Sequence, residues 1–74
     1  MRRSKDEVAV DILRAAMKGA TKTHIICETK LNFTVVQKYL VMLKEKELIK
    51  QESSLFITTN KGKTFQEIAK EIKL

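Results

Sequence analysis

Three hydrogen-bonding side chains recur on one side of a regular segment in the middle of the chain. Thr34, Gln37 and Lys38 lie opposite an apolar stripe at helical spacing, and Val41 continues their side by one turn. A hydroxyl, an amide that both donates and accepts, and a cation favour noncovalent recognition of a polar, negatively charged surface. We therefore expect this segment to act through hydrogen bonds and charge interactions. These interactions depend on the secondary-structure elements that position the side chains.

Side chains suited to metal binding or catalysis occur, but their spacing supports neither. His24 and Cys27 stand three residues apart, whereas zinc normally takes four ligands and no second pair exists in the sequence. Five acidic residues in the second half of the chain fall at helix ends, in a turn or on exposed faces, without the paired, buried placement of general acid-base groups. These residues are Glu45, Glu47, Glu52, Glu67 and Glu71. We predict no enzyme activity, no cofactor and no metal, and we interpret His24 and Cys27 as structural filling.

Net charge narrows the class of ligand. Fifteen Lys or Arg residues stand against nine Asp or Glu residues, and the formal charge of +6 favours a polyanionic partner. A membrane surface would require a basic helix with an unused apolar face, and each helix described below has a core to cover. Nucleic acid is therefore the expected partner, with no membrane and no small-molecule substrate.

Length and cysteine content indicate one small domain in a reducing compartment. Seventy-four residues with 43% hydrophobic content can form one core, so we assign residues 1–74 to a single domain. Cys27 is the only cysteine, and no N-terminal apolar run resembles a signal peptide or a membrane span. We expect a cytoplasmic, nucleoid-associated protein. A core of this size also favours self-association.

Capping residues mark two helices in the first part of the chain. Ser4 followed by Glu7 forms a capping box, and Gly19 suits the left-handed conformation found after many helix ends. The first helix is therefore predicted over about 5–18. Thr21 caps a second, short helix that ends near residue 29.

The strongest periodicity falls in a third helix, which Asn32 caps and which we predict over 33–46. Its apolar stripe comprises Val36, Tyr39, Leu40 and Leu43, and we expect Tyr39 in the core rather than as a stacking platform for bases. Two β-prone runs follow at 48–51 and 55–58, separated by a turn. Thr59 caps a last helix at 59–74. The order of elements predicts a mostly helical α+β domain.

The second and third helices, joined by a break of about three residues, form a helix-turn-helix, and the hairpin after them forms a wing. The major groove of B-DNA is about 12 Å wide and admits one helix, so we expect the third helix there in double-stranded DNA. Gln37 can pair with an adenine edge, Lys38 with guanine acceptors and Val41 with a thymine methyl, while Thr34 can contact an edge or a phosphate. Lys38 on the outer face could also be merely solvated.

Further basic and hydroxyl side chains are predicted to contact phosphates, which give affinity without sequence information. They are Arg2 and Arg3 in a basic N-terminal arm at 1–4, Lys22, Thr23 and Lys30 around the second helix, Lys44 near the end of the third, and Lys50 in the hairpin. The arm either follows the DNA backbone or is simply solvated.

Three segments carry a resemblance to known proteins: KTHII at 22–26, KYLVMLKEKELIKQE at 38–52 and TNKG at 59–62. With them, the stretch from Gly19 to Ile68 resembles the small archaeal winged-helix DNA-binding proteins, including the ten-kilodalton chromatin-associated type, and related archaeal winged-helix transcriptional regulators. The resemblance implies a winged helix, a double-stranded DNA ligand and often a homodimer built through the C-terminal helix.

Two features depart from the pattern of these relatives. The predicted last helix spans about four turns, so we do not expect the long antiparallel coiled coil of the chromatin type. Many relatives carry glycine with a basic residue at the wing tip, whereas this chain has Glu52 there, so wing contact with DNA is weak or confined to Lys50.

The last helix carries more apolar surface than one small core requires. Its stripe comprises Phe65, Ile68, Ile72 and Leu74. We expect part of it to pack on the first helix and the remainder to meet a twofold mate. A dimer would place two recognition helices about one helical turn of DNA apart.

Two functional interpretations remain open. The first is a DNA-binding protein of regulator or architectural type. The alternative is a protein-protein interaction module of a replication or transcription assembly, because the same fold serves protein partners; Glu52 at the wing tip and the outward Val41 motivate it. Single-stranded nucleic acid fits less well, because the outward face lacks aromatic platforms for stacking.

Overall fold

The computed structural model describes residues 4–72, and the side chains of residues 4–69, as four helices and one antiparallel hairpin. In chain order these are α1 (Lys5–Ala15), α2 (Lys22–Thr29), α3 (Phe33–Glu45), β1 (Ile49–Glu52), β2 (Leu55–Thr58) and α4 (Asn60–Ile72). The predicted α+β order of helix, helix, helix, hairpin and helix is confirmed. Within this part of the chain, no helix combines the length and the apolar content needed to cross a membrane.

The predicted caps hold the starts of all four described helices. In each case a side-chain oxygen accepts a hydrogen bond from a backbone N–H three residues later, at 2.8–3.2 Å. The capping side chains are Ser4, Thr21, Asn32 and Thr59. Glu7 completes the capping box by accepting from the Ser4 N–H at 3.0 Å.

The sequence predicts that α1 ends near residue 18, but the helix ends at Ala15. Residues 16–18 form a turn, and Gly19 follows at φ +94°. Groups from a distant part of the chain donate hydrogen bonds to the last carbonyls of the helix. The Thr58 hydroxyl donates to the Leu13 carbonyl at 2.6 Å, and the Thr58 N–H donates to the Ala16 carbonyl at 3.0 Å. Bonds from β2 thus replace the helical bonds that sequence periodicity predicts.

A Schellman motif ends α3 and directs the chain into the hairpin. The Leu48 N–H donates to the Leu43 carbonyl at 2.9 Å, and the Glu47 N–H donates to the Lys44 carbonyl at 3.0 Å, with Glu47 at φ 62°. Because Leu48 belongs to this motif, β1 begins at Ile49, one residue later than the sequence predicts.

The hairpin pairs Ile49 with Thr58 and Glu52 with Leu55 in antiparallel register. Its turn places Ser53 at φ 58°, a left-handed conformation. The segment before α2 also pairs with the hairpin at one position, where Ala20 and Phe56 exchange backbone hydrogen bonds of 3.0 and 2.8 Å. These bonds attach the hairpin to the rest of the domain.

The core lies where α1, α2, α3 and the base of the hairpin meet. Its most deeply buried side chains are Ile12, Leu13, Ile25, Val36, Leu40, Leu43 and Ile49. Tyr39 is half-buried and packs against this cluster, as predicted. The core thus takes one face of α3 and leaves the opposite face outside.

Candidate nucleic-acid interface

The outward face of α3 carries the side chains that the sequence assigns to base recognition. Thr34 and Lys38 are exposed, Val41 is 47% exposed, and Gln37 is half-buried between them. The Asn32 cap and the buried stripe on the other side hold the helix in this orientation. All four side chains therefore occupy one side of one helix.

Phe33 is a feature of this face that sequence reasoning missed, and the expectation that the outward face lacks an aromatic side chain is therefore wrong. It is the first residue of α3, and 58% of it is exposed. It stands three residues before the buried Val36, a spacing that fits the core stripe equally well, so periodicity alone gives no sign of its exposure. Its position next to the start of α2 depends on how the two helices pack together.

Lys22 links α2 to α3 at this face. Its ammonium donates a hydrogen bond to the Gln37 Oε1 atom and lies 5.1 Å from the centroid of the Phe33 ring. The Lys22 side chain is half-buried as a result. A residue predicted as a phosphate contact is thus engaged with a residue predicted to read bases.

The rest of α2 is exposed on its outer side. Thr23 and Lys30 are exposed, and Lys30 forms the C-cap in the left-handed conformation at φ 61°. His24 and Cys27 are also exposed, so their interpretation as structural filling is wrong. The reason is that this short helix buries only Ile25 and Thr29. Among the described residues, His, Cys, Asp and Glu side chains form no group of three suited to a metal ion.

The lysines predicted to contact phosphate near the wing have partners within the protein. The Lys44 ammonium donates to the Gln51 Oε1 atom at 2.9 Å, which connects the end of α3 to β1. The Lys50 ammonium lies 3.5 Å from the Glu52 carboxylate, and both side chains are largely exposed. The acidic wing tip therefore neutralises the cation beside it.

Two of the predicted dimer residues lie among the described side chains. Phe65 is half-buried against the core, whereas Ile68 is 53% exposed on α4. The side chain of Ile72, all of Leu74, and Arg2 and Arg3 of the predicted arm lie outside the part of the structure that is described.

Comparison with known proteins agrees with this architecture. Residues 2–74 match the family described as winged helix-turn-helix. The fold superposes with a TM-score of 0.83 on the crystal structure of Sso10a-2, a DNA-binding protein from Sulfolobus solfataricus; the sequence identity is 32%, and the match covers 93% of this chain and 77% of that one. No curated protein sequence matches significantly. The resemblance to small archaeal winged-helix proteins is confirmed, and the chain belongs to the winged helix-turn-helix family.

Proposed function

We propose that this protein binds double-stranded DNA, with α3 in the major groove, and that it catalyses no reaction. The observation that carries the proposal is the exposed outward face of α3, where Thr34, Lys38 and Val41 stand away from the core. The similarity to a protein described as DNA-binding supports the same ligand. A net charge of +6 supplies the attraction to phosphate.

The proposed base-reading side chains match the size of a groove site. Thr34 and Val41 are seven residues apart on α3, which corresponds to about 10 Å along the helix axis. Successive base pairs are about 3.4 Å apart, so this face spans about three base pairs. Gln37 and Lys38 lie between the two ends and contact the central edges.

Phosphate contacts in this proposal come from both sides of α3. Thr23 and Lys30 lie on the outer side of α2, while Lys44 and Lys50 lie toward the wing. Arg2 and Arg3 add to these if the N-terminal arm follows the DNA backbone. This distribution braces the recognition helix from α2 on one side and from the hairpin on the other.

We further propose a homodimer formed through α4, which would act on DNA at the nucleoid in the cytoplasm. The exposed Ile68 supports this, because it extends the apolar stripe beyond the half-buried Phe65. The role is regulatory or architectural. Selection from a random duplex pool separates the two, because a regulator enriches a palindrome and an architectural protein enriches no defined sequence.

Salt dependence tests the proposed ligand directly. The logarithm of duplex affinity should fall against the logarithm of salt concentration with a slope of about −0.9 for each phosphate neutralised. Fluorescence anisotropy of a labelled duplex at several salt concentrations measures this slope. A flat response, or no binding at low salt, contradicts the proposal.

Substitution on α3 tests base readout. Lys38→Ala should reduce discrimination between a selected and a random duplex by ~1–3 kcal/mol. Lys63→Ala is the matched control, because Lys63 is an exposed lysine on α4. Equal losses on both duplexes for Lys38→Ala would remove Lys38 from base readout.

A second candidate function is recognition of a protein partner. Phe33 and Val41 expose apolar surface on α3, and the Lys50–Glu52 pair reduces the cationic character of the wing. A pull-down that recovers one stoichiometric protein, together with no duplex binding at low salt, would favour this function over DNA binding.

A further inference from the structure

Three side chains from two helices converge at one end of the outward face of α3. Lys22 is the first residue of α2, Phe33 is the first residue of α3, and Gln37 lies one turn further along α3. The Lys22 ammonium contacts both of the others, by a hydrogen bond to the Gln37 Oε1 atom and by its position 5.1 Å from the centre of the Phe33 ring. We refer to these three residues as the Lys22 cluster.

The contact fixes which end of the Gln37 amide faces Lys22. A lysine ammonium has only donors, so the amide atom that faces it must be the oxygen. The bond is charge-assisted and therefore stronger than a hydrogen bond between neutral groups. The bond uses one lone pair of the Gln37 oxygen and keeps that oxygen turned toward Lys22, so we expect the NH₂ group, which carries two donors, to be the part of the amide that meets a ligand.

Phe33 also helps to hold the ammonium in place. A cation within about 6 Å of an aromatic centroid is attracted by the negative face of the ring. The ammonium thus contacts both the ring and the amide oxygen before any ligand arrives. Such preorganisation reduces the ordering cost of binding.

On the basis of the proposed function, we propose that Lys22 is a positioning residue that makes Gln37 a hydrogen-bond donor, so that Gln37 selects guanine in the major groove. Guanine presents two acceptors there, N7 and O6. Adenine presents N7 together with an N6 amino donor, and glutamine pairs with both only when its amide oxygen can turn toward the N6 amino group. This assignment differs from the sequence-based expectation, in which Gln37 pairs with adenine and Lys22 contacts phosphate.

Selection of bound sequences from a random duplex pool tests the proposal. Gln37→Ala first identifies the base position that Gln37 reads, because the preference should disappear at that position alone. Wild-type protein should enrich guanine there. Lys22→Met keeps a long side chain but removes the donor, and it should reduce the preference for guanine over adenine at that position by about tenfold.

Two further variants separate positioning from charge. Lys30→Met removes the same charge from the exposed C-cap of α2, and it should lower affinity for all duplexes alike. Gln37→Glu presents acceptors only, and it should move the preference at the same position toward cytosine, whose N4 amino group donates. Thermal unfolding of each variant near the wild-type midpoint verifies that the fold is retained.

Several outcomes would overturn the proposal. Enrichment of adenine by the wild-type protein at the Gln37 position would do so, and so would an unchanged base preference in Lys22→Met with a uniform loss of affinity. Either result leaves the proposed DNA-binding function intact. Absence of duplex binding by the wild-type protein at low salt would instead refute the proposed function, and this inference with it.

Discussion

Neutralising Glu52 should tighten DNA binding, because its carboxylate pairs with Lys50, the wing cation that would otherwise contact a phosphate. The Lys50 ammonium lies 3.5 Å from the Glu52 carboxylate at the exposed tip of the hairpin. A bound phosphate must either compete with the carboxylate for Lys50 or lie beside a like charge. Glu52→Gln removes the negative charge and keeps the length of the side chain.

The structure sets the size of the effect on stability and on binding. An exposed ion pair contributes about 0–1 kcal/mol, so Glu52→Gln should lower the free energy of unfolding by less than about 1 kcal/mol. One additional phosphate contact by Lys50 should steepen the salt slope by about 0.9. Between 50 and 200 mM salt this difference in slope corresponds to about a three- to fourfold change in relative affinity. The variant should therefore bind more tightly at low salt and lose much of that advantage at high salt.

Fluorescence anisotropy with one labelled duplex at several salt concentrations measures both the affinity and the slope. Glu67→Gln is the matched control: it makes the same charge change at an exposed position of α4, a helix that packs mainly on α1. Equal effects of the two variants would show that only net charge matters. That result, or an unchanged affinity and slope for Glu52→Gln, would refute the placement of the wing beside phosphate.

Three further predictions concern the scaffold and the proposed dimer. Gly62→Ala should lower the free energy of unfolding by about 1–3 kcal/mol in urea denaturation, because the added Cβ would overlap the Leu48 carbonyl and lie 2.7 Å from the Thr58 Cγ2 atom. Thr58→Val should cost about 1–3 kcal/mol in the same assay, since it removes the buried hydrogen bond to the Leu13 carbonyl. Ile68→Asp should reduce the dimer fraction in sedimentation velocity at high micromolar concentration, because it places a charge on the proposed interface.

Each of these predictions has an internal control. Alanine normally stabilises a helix relative to glycine by about 1 kcal/mol, so a more stable Gly62→Ala protein would contradict the close approach. Lys63→Ala, at the exposed neighbouring position, should change stability by less than about 0.5 kcal/mol. Thr58→Ser keeps the hydroxyl and should retain more stability than Thr58→Val. Wild-type protein that sediments only as a monomer would end the dimer proposal.

The features that the sequence predicts correctly are those decided within a few residues. Ser4, Thr21, Asn32 and Thr59 each act on an N–H three positions later, so a short stretch of sequence is enough to place the start of each helix. The buried stripe of α3 follows from helical periodicity in the same way. Together these local signals determine the order of the elements.

The features that it misses depend on contacts between distant segments or on unusual backbone conformations. Lys22 and Gln37 are fifteen residues apart, so their hydrogen bond requires the packing of α2 on α3. Glu47 adopts a positive φ at the position where a Schellman motif commonly has glycine, and glutamate gives no sequence signal for it. The exposure of His24 and Cys27 likewise follows from how little of α2 the core covers.

The base of the hairpin joins elements that are far apart in sequence, and this separates the roles of the wing stem and the wing tip. The Thr59 hydroxyl donates to the Glu47 carbonyl at 2.7 Å, and the Thr59 N–H donates to the Leu48 carbonyl at 3.1 Å. The Thr58 hydroxyl binds α1 at the same place. The stem is therefore held to the end of α3 and to α1, while residues 52–54 at the tip are exposed. Substitutions at the tip should change DNA affinity through charge alone, whereas substitutions at Thr58 should change stability and wing orientation together.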